Sequence, residues 1–305
     1  MFNVNQLTQA IRDILLVPNN IAVGTETNFT IGLILAILTS IVIYGGLKRI
    51  SETAAKLVPF MVVIYFVSVL TILFLHFDQL GYYFSLIFTE AFTATRYGGD
   101  PFLGGAVGGL ILLGIRRGAF SNEAGIGTAP MAHGAAKTST PIKEGLVAML
   151  GPAIDTLIVC TLTALAILVT GVWESTDANG VSLTANAFGN SIPYFGKYLL
   201  LLCIAVFSIS SLFSYAYYGK KCMSFLLGAD KQHYYNYFYI GSILLGATTT
   251  LDMMMNLIDG FFALMAFPTM IATLILAPKV MVEAKKYFDQ LDRSTQTHDD
   301  LIDQA

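Results

Sequence analysis

Long apolar runs recur along the whole chain, and they constrain its fold more than any other feature. The uninterrupted runs lie at about 29–46, 58–76, 145–172, 195–218, 234–250 and 257–278. A helix needs about 20 apolar residues to cross a bilayer. Only 12% of the residues are charged and 55% are hydrophobic, whereas soluble domains carry about 25% charged residues. The sequence therefore predicts an all-α polytopic membrane protein, and the lack of alternating ten-residue strands argues against a membrane barrel.

A further apolar segment, 102–136, is interrupted by a polar, glycine-rich stretch at 114–134. Gly125, Gly127 and Pro130 in this stretch disfavour an uninterrupted helix. Backbone that leaves the helix at membrane depth must be buried in protein or line a watery cavity, because lipid cannot bond its polar groups. We therefore predict a broken helix, and the open alternative is a cytoplasmic loop between two spans. With this segment counted once, about seven segments cross the membrane.

Polar side chains accompany the interruption and suggest two different roles. Ser121, Asn122 and Thr128 offer hydroxyl and amide groups beside flexible glycines. A broken helix with such groups can hold a small zwitterion and its coupling cation. Alternatively, Ser121 and Asn122 cap the second half-helix, since Ser and Asn are preferred N-cap residues. Both roles can hold at once, because a helix N-terminus also binds anions.

Two other groups of polar residues lie within apolar runs. Asp155 lies about 15 Å into its span by helical rise, and an acid at such a depth is a functional candidate by default. It can bind a cation or a proton, or pair with Arg116 or Arg117, and we favour the pair. A hydroxyl cluster at 208–214 suits a hard cation, or alternatively joins neighbouring helices.

The distribution of charge predicts the direction of the spans. Lysine and arginine cluster in alternate connections at 48–56, 137–143, 220–231 and 279–286. By the positive-inside rule these connections and the C-terminus are cytoplasmic. We expect a transmembrane domain over 1–288 and a polar, disordered cytoplasmic tail over 289–305.

The connections between the spans carry further predictions. We expect a short amphipathic segment at 48–59, a helix lying at the membrane interface over Leu80–Thr95, and a polar loop over 173–191.

The residue pattern argues against several other functions. No nucleophile–base pairing, metal-ligand spacing or phosphate-binding loop occurs, so we predict no enzyme and no cofactor. The net charge of −3 and the lack of a basic stripe argue against nucleic acid as a partner. Cys160, Cys203 and Cys222 lie in or beside apolar runs, which is typical of buried thiols.

The interrupted stretch closely resembles the sodium:alanine symporter family, also described as alanine or glycine:cation symporters. The resemblance rests on the string Arg-Gly-Ala-Phe-Ser-Asn-Glu-Ala-Gly-Ile-Gly at 117–127, followed by Ala129-Pro130. Supporting similarities lie at 45–50, 57–59, 154–156 and 217–219, so the resemblance covers nearly the whole chain.

This resemblance implies a partial LeuT-type inverted-repeat fold, in which 102–136 is the first, broken helix of the second repeat. It also implies sodium-coupled symport of a small neutral amino acid, alanine or glycine, across the cytoplasmic membrane. By the same analogy the substrate contacts Phe120, Ser121, Asn122, Gly125, Gly127, Thr128 and Tyr215. Ser210 and Ser211 resemble hydroxyl ligands for Na⁺.

Two departures from the family pattern affect these expectations. Ser214-Tyr215 stands where the family usually has Gly-Trp, which leaves the substrate preference open. Asn3–Leu7 resembles a family stretch well inside the protein, so the chain resembles the rear two-thirds of a symporter. We therefore keep two alternatives to transport by this chain alone, namely a truncated, transport-inactive membrane fragment and a separate chain that supplies the front half.

Overall fold

The computed structural model describes residues 1–44, 46–93, 106–175 and 178–302, and its regular elements are helical throughout these ranges. The α-helices are α1 (Phe2–Ile11), α2 (Thr25–Ile43), α3 (Gly46–Leu75), α4 (Phe77–Thr93), α5 (Ala106–Asn122), α6 (Ala129–His133), α7 (Pro141–Pro152), α8 (Thr161–Val169), α9 (Val172–Ser175), α10 (Val181–Ser191), α11 (Gly196–Leu227), α12 (Tyr234–Thr248) and α13 (Leu251–Ile302). The shorter helical elements are the π-helical stretches Arg12–Leu16 and Ala153–Cys160 and the 3₁₀ turns Val17–Asn19 and Ala229–Lys231.

Within the described ranges, five helical segments are long and apolar enough to cross a membrane. They are Thr25–Ile43, Lys56–Leu75, Pro141–Val169, Gly196–Leu227 and Leu251–Arg293. Of the other two predicted spans, α12 has 15 residues and the described helix of the interrupted segment, α5, has 17. The all-helical prediction is thus confirmed, whereas the count of seven spans and the LeuT-type fold are not confirmed.

Two predicted boundaries are wrong because a helix continues through them. The amphipathic segment at 48–59 is part of α3, which contains Pro59 without ending there. The tail predicted to be disordered from Asp289 belongs to α13, which runs to Ile302. An internal proline removes one backbone hydrogen bond. The helix α3 nevertheless continues through Pro59 into the apolar run that follows it.

The region 173–191, predicted as a polar loop, contains α9 and α10 instead. In α10, Ala185 and Phe188 are almost fully buried, so packing rather than polarity decides its conformation. The helix predicted at Leu80–Thr95 is present as α4 up to Thr93, and the last two residues of that prediction lie outside the described ranges. Phe77, Tyr82 and Phe88 are exposed on α4, and the location of this helix at the membrane interface stays a prediction.

The chain forms two compact units, which are described separately. The first comprises Met1–Ile115 and Leu157–Ile258, and the second comprises Arg116–Thr156 and Asp259–Ala305. In the first unit, one apolar cluster joins α1, α2, α11 and α12, and another joins α1, α3, α8, α10 and α11. Such contiguous clusters are the packed cores of a domain.

Polar side chains of α1 fix its position within the first unit. The Asn5 side-chain amide donates to the backbone carbonyls of Gly246 and Thr249, at 3.3 Å and 2.5 Å. The side-chain oxygen Oε1 of Gln6 accepts a hydrogen bond from the backbone N–H of Val181 at 3.2 Å. Because these bonds satisfy backbone groups at the end of α12 and the start of α10, they hold three elements together.

Candidate functional site

The helix break predicted from the sequence is present between α5 and α6. Backbone φ is positive at Glu123, Gly125 and Gly127, at 55°, 79° and 88°. Glycine adopts such values freely, whereas other residues do so at a cost. The break at 123–128 is shorter than the predicted interruption, because α5 continues through Gly118 and ends only at Asn122.

The capping role suggested for Ser121 and Asn122 is wrong. Both residues end α5, and the second helix begins at Ala129 with Thr128 in the cap position. Pro130 lies in the first turn of α6, where its missing N–H would have no partner in any case.

Asn122 links the break to the π-helical stretch Ala153–Cys160. Its side-chain amide donates to the Thr156 hydroxyl at 3.1 Å, and its carbonyl oxygen accepts the backbone N–H of Ala124 at 2.9 Å. The second bond is an Asx turn, which stabilises backbone that has left the helix. One half-buried side chain therefore sets both the direction of the break and its contact with the neighbouring segment.

Asp155 is bonded to the residue before Asn122. The Ser121 hydroxyl donates to Asp155 Oδ2 at 2.5 Å. The ion pair that we favoured, between Asp155 and Arg116 or Arg117, is therefore not formed among the described residues, and both arginines lie near Asp259 instead. Ser121–Asp155 and Asn122–Thr156 are consecutive pairs between the same two segments, and π-helical stretches occur frequently at functional sites.

Arg117 pairs with Asp259 of α13. Its Nη2 lies 2.8 Å from Oδ1 and 2.6 Å from Oδ2 of the carboxylate, and Arg116 Nη1 lies 3.9 Å from Oδ2. Both partners of the short pair are largely shielded, with side chains 32% and 25% exposed. A shielded pair of this kind is costly to break, so it fixes the end of α5 against α13.

Two further contacts place the break on the same face of α13. The rings of Phe120 and Phe262 are 5.5 Å apart. A Cβ atom at Gly127 would lie 2.6 Å from Thr269 Oγ1, so the backbone approaches α13 more closely than a side chain would allow. Asp259, Phe262 and Thr269 share one helical face by their spacing.

Thr128 closes the break as a buried polar residue. It is 5% exposed, and its Oγ1 makes no hydrogen bond within the described part of the chain. A buried hydroxyl without a partner costs free energy, so it is a natural contact for a polar ligand. Gly125, by contrast, has open space where a Cβ would lie.

The remaining predicted site residues lie on α11, in the first unit. Ser210 is buried and its hydroxyl donates to the Phe207 carbonyl at 2.9 Å. Ser211 is half-buried one position further on. The ring of Tyr215 packs edge-on against Tyr218, with centroids 5.8 Å apart. The predicted sodium ligands and substrate contacts are therefore divided between the two units.

The sequence reasoning missed Asp259 and Thr269. Asp259 carried a usable signal, because it is a lone acid within an apolar run and Arg116 and Arg117 were already candidates for an acidic partner. Thr269 carried no signal, since its importance comes only from the approach of the Gly127 backbone.

Several apolar spanning helices, together with an interrupted helix that leaves polar groups in its break, define a multi-pass membrane protein. The model of the sodium:alanine symporter family matches residues 1–301, and the chain belongs to this family. Because this is a family of transporters, no enzymatic activity is expected of the chain. The match covers essentially the whole chain.

Several curated relatives are transporters by name. An uncharacterized transporter of Haemophilus influenzae is 32% identical over 98% of this chain and 64% of its own length. The sodium/alanine symporter AgcS of Methanococcus maripaludis is 35% identical over 88% of this chain and 60% of its own length. The probable sodium/glutamine symporter GlnT of Bacillus subtilis is 33% identical over 88% of this chain and 55% of its own length. The chain thus spans about three fifths of the length of these relatives.

Proposed function

We propose that this chain carries out sodium-coupled symport of a small neutral amino acid, alanine or glycine, across the cytoplasmic membrane. The observation that carries the proposal is the helix break at 123–128, with its positive-φ backbone and the buried hydroxyl of Thr128, which has no hydrogen-bond partner among the described residues. A membrane helix is interrupted only where other groups satisfy its backbone. A zwitterion supplies both kinds of partner, because its ammonium donates and its carboxylate accepts hydrogen bonds.

The geometry of the break suits a small substrate. Asn122 and Thr128 frame it with polar groups, and no atom lies within 4 Å of the position that a Cβ at Gly125 would take, which leaves room for a ligand. Phe120 supplies an apolar wall that is fixed against Phe262. We assign the substrate to Phe120, Ser121, Asn122, Gly125, Gly127, Thr128 and Tyr215.

The sodium ion is assigned to the hydroxyls of Ser210 and Ser211. The Ser210 hydroxyl proton is used in a bond to its own helix, so its oxygen lone pairs remain available to accept a cation. Hydroxyl and carbonyl oxygens are the ligands that hard cations prefer. Asp155 is assigned as a coupling or structural acid that acts through Ser121.

Coupling follows from a difference in affinity between conformations. Na⁺ stabilises the outward-open, substrate-ready state, and substrate then binds more tightly by the same factor. Alternating access carries both solutes inward, and the basic connections and the C-terminus face the cytoplasm.

Binding of labelled alanine to the purified chain in detergent tests the proposal. We expect saturable binding in Na⁺ that falls at least tenfold when choline replaces Na⁺. We also expect unlabelled glycine to displace alanine more effectively than glutamine does, since glutamine is the substrate in the name of one relative. Alanine binding that is independent of Na⁺ would contradict the assignment, and stronger displacement by glutamine would reject the substrate class.

A further inference from the structure

An apolar groove lies between α2 and α12, within the first unit. The two helices touch closely at one end, where a Cβ at Gly32 would lie 2.6 Å from the Ala247 Cβ. Beyond this contact a groove of about 340 Å³ remains between them. It is lined mainly by Leu33, Ile37, Ile41, Tyr44, Ile240 and Leu244.

The groove is open on the outer surface of α2, a helix that can span the membrane. Ile37 and Ile41 are 54% and 51% exposed, and α2 is one of the five segments that are long and apolar enough to cross a membrane. Leu33 and Tyr44 are eleven residues apart, which is about 16 Å along a helix. This length matches one leaflet, since the whole hydrocarbon core is about 30 Å thick. The groove therefore has the length and the polarity of an acyl chain.

A cation lies at the Tyr44 end of the groove. Lys220 Nζ donates to the Ile43 carbonyl at 3.2 Å, and Tyr44 is the next residue. An ammonium has three N–H donors, so this bond leaves donor capacity for a second acceptor. Tyrosine favours the level of the lipid headgroups. The apolar groove thus ends beside a tyrosine and a positive charge, which together complement an anionic headgroup.

We propose that this groove binds one phospholipid with an anionic headgroup. One acyl chain lies against Ile37 and Ile41, and the phosphate contacts the ammonium of Lys220. The groove and the helix break share no residues, so the proposal does not depend on the transported substrate.

Native mass spectrometry of the chain in mixed micelles tests this site, with dioleoyl phosphatidylglycerol and dioleoyl phosphatidylcholine as competing probes. We expect one retained phosphatidylglycerol per chain, preferred at least fivefold over phosphatidylcholine. Ile37→Trp fills the groove and should abolish the preference. Ile34→Trp is the matched control, because Ile34 is 53% exposed on the same helix but does not line the groove.

A second pair of variants tests the headgroup contact. Lys220→Gln should reduce the preference to less than twofold, and Lys220→Arg should restore it. Lys221→Gln should leave it unchanged, because Lys221 lies over the Tyr217 ring, 5.5 Å from its centroid. Equal retention of the two lipids, or equal loss in the Ile34 and Ile37 variants, would overturn the proposal. A dimer that only Ile37→Trp disrupts would also overturn it, since a second copy of the chain would then occupy the groove.

Discussion

The Nη2 atom of Arg117 lies within 2.8 Å of both carboxylate oxygens of Asp259, which is 142 residues away along the chain. The pair joins the last turn and a half of α5 to α13, and Arg117 lies six residues before the helix break begins at 123. Its two side chains are about one third and one quarter exposed. The break therefore starts from a fixed point, and the contacts of Phe120 and Gly127 continue along the same helix.

Asp259→Asn should destabilise the second unit. Removal of one partner from a buried ion pair costs about 3–5 kcal/mol, and partial exposure lowers the cost here to about 1–3 kcal/mol. The double variant Arg117→Gln/Asp259→Asn should recover at least half of this loss, because the shielded charge of Arg117 is removed as well and the remaining cation, Arg116, is 53% exposed. The unfolding midpoint of the detergent-solubilised chain, followed by size-exclusion chromatography after heating, measures both effects.

An exposed ion pair on the same helix provides the control. Lys286 Nζ lies 2.8 Å from Glu283 Oε1, with side chains 63% and 53% exposed. Glu283→Gln should leave the midpoint unchanged. Equal shifts in the Asp259 and Glu283 variants would show that the Arg117 pair has no special structural role.

Two glycines of the break should respond differently to the same substitution. Gly125→Ala should lower the free energy of unfolding by about 1–2 kcal/mol, which is the cost of a left-handed backbone for a residue with a Cβ. No steric cost is added, because open space surrounds the new methyl group. Gly127→Ala should cost more, since its Cβ would also meet Thr269 Oγ1. Adding Thr269→Ala should reduce the cost at Gly127 to that at Gly125. If Thr269→Ala gives no recovery, the close approach of the two segments is wrong.

Asn122→Ala should lower the rate of sodium-dependent alanine uptake by at least tenfold while leaving membrane insertion intact. The side chain is one of the proposed substrate contacts, and it holds the break through its bonds to Ala124 and Thr156. Thr156→Val removes only the hydrogen bond between Asn122 and Thr156 and should lower the uptake rate less. Uptake into proteoliposomes, normalised to the amount of inserted protein, distinguishes the two variants. Unchanged uptake kinetics in Asn122→Ala would reject the break as the substrate site.

Ser211→Ala should raise the Na⁺ concentration that gives half-maximal uptake more than Ser208→Ala does. Ser208 is 2% exposed within α11, so its substitution should act on helix packing alone. Half-buried Ser211 keeps access to an ion. Small and equal shifts would favour the alternative that this hydroxyl cluster only joins neighbouring helices.

The sequence predicted the helix break because its cause is local. Gly125 and Gly127 occupy backbone conformations that disfavour other residues, and this preference can be recognised without a structure. Asp155 could be identified as a candidate, but its hydrogen-bond partner could not. Spacing along the chain does not reveal that Arg117 pairs with Asp259 and that Ser121 bonds to Asp155.

Packing explains the errors in the connections. The polarity of 173–191 suggested a loop, yet Val181, Ala185 and Phe188 recur at helical spacing, and Ala185 and Phe188 are buried in the first unit. This periodicity was available in the sequence. Pro59 marked the end of the predicted amphipathic segment but lies inside a continuous helix, because one lost hydrogen bond does not end a long apolar helix.

Alanine uptake driven by a sodium gradient tests the central claim most directly. The chain is reconstituted into proteoliposomes, and labelled alanine is added with an inward Na⁺ gradient, with equal Na⁺ on both sides, or with choline. We predict that alanine accumulates above its external concentration only with the gradient, and that a sodium ionophore releases it. Alanine entry that is equal under all three conditions, or no entry at all, would contradict sodium-coupled symport by this chain.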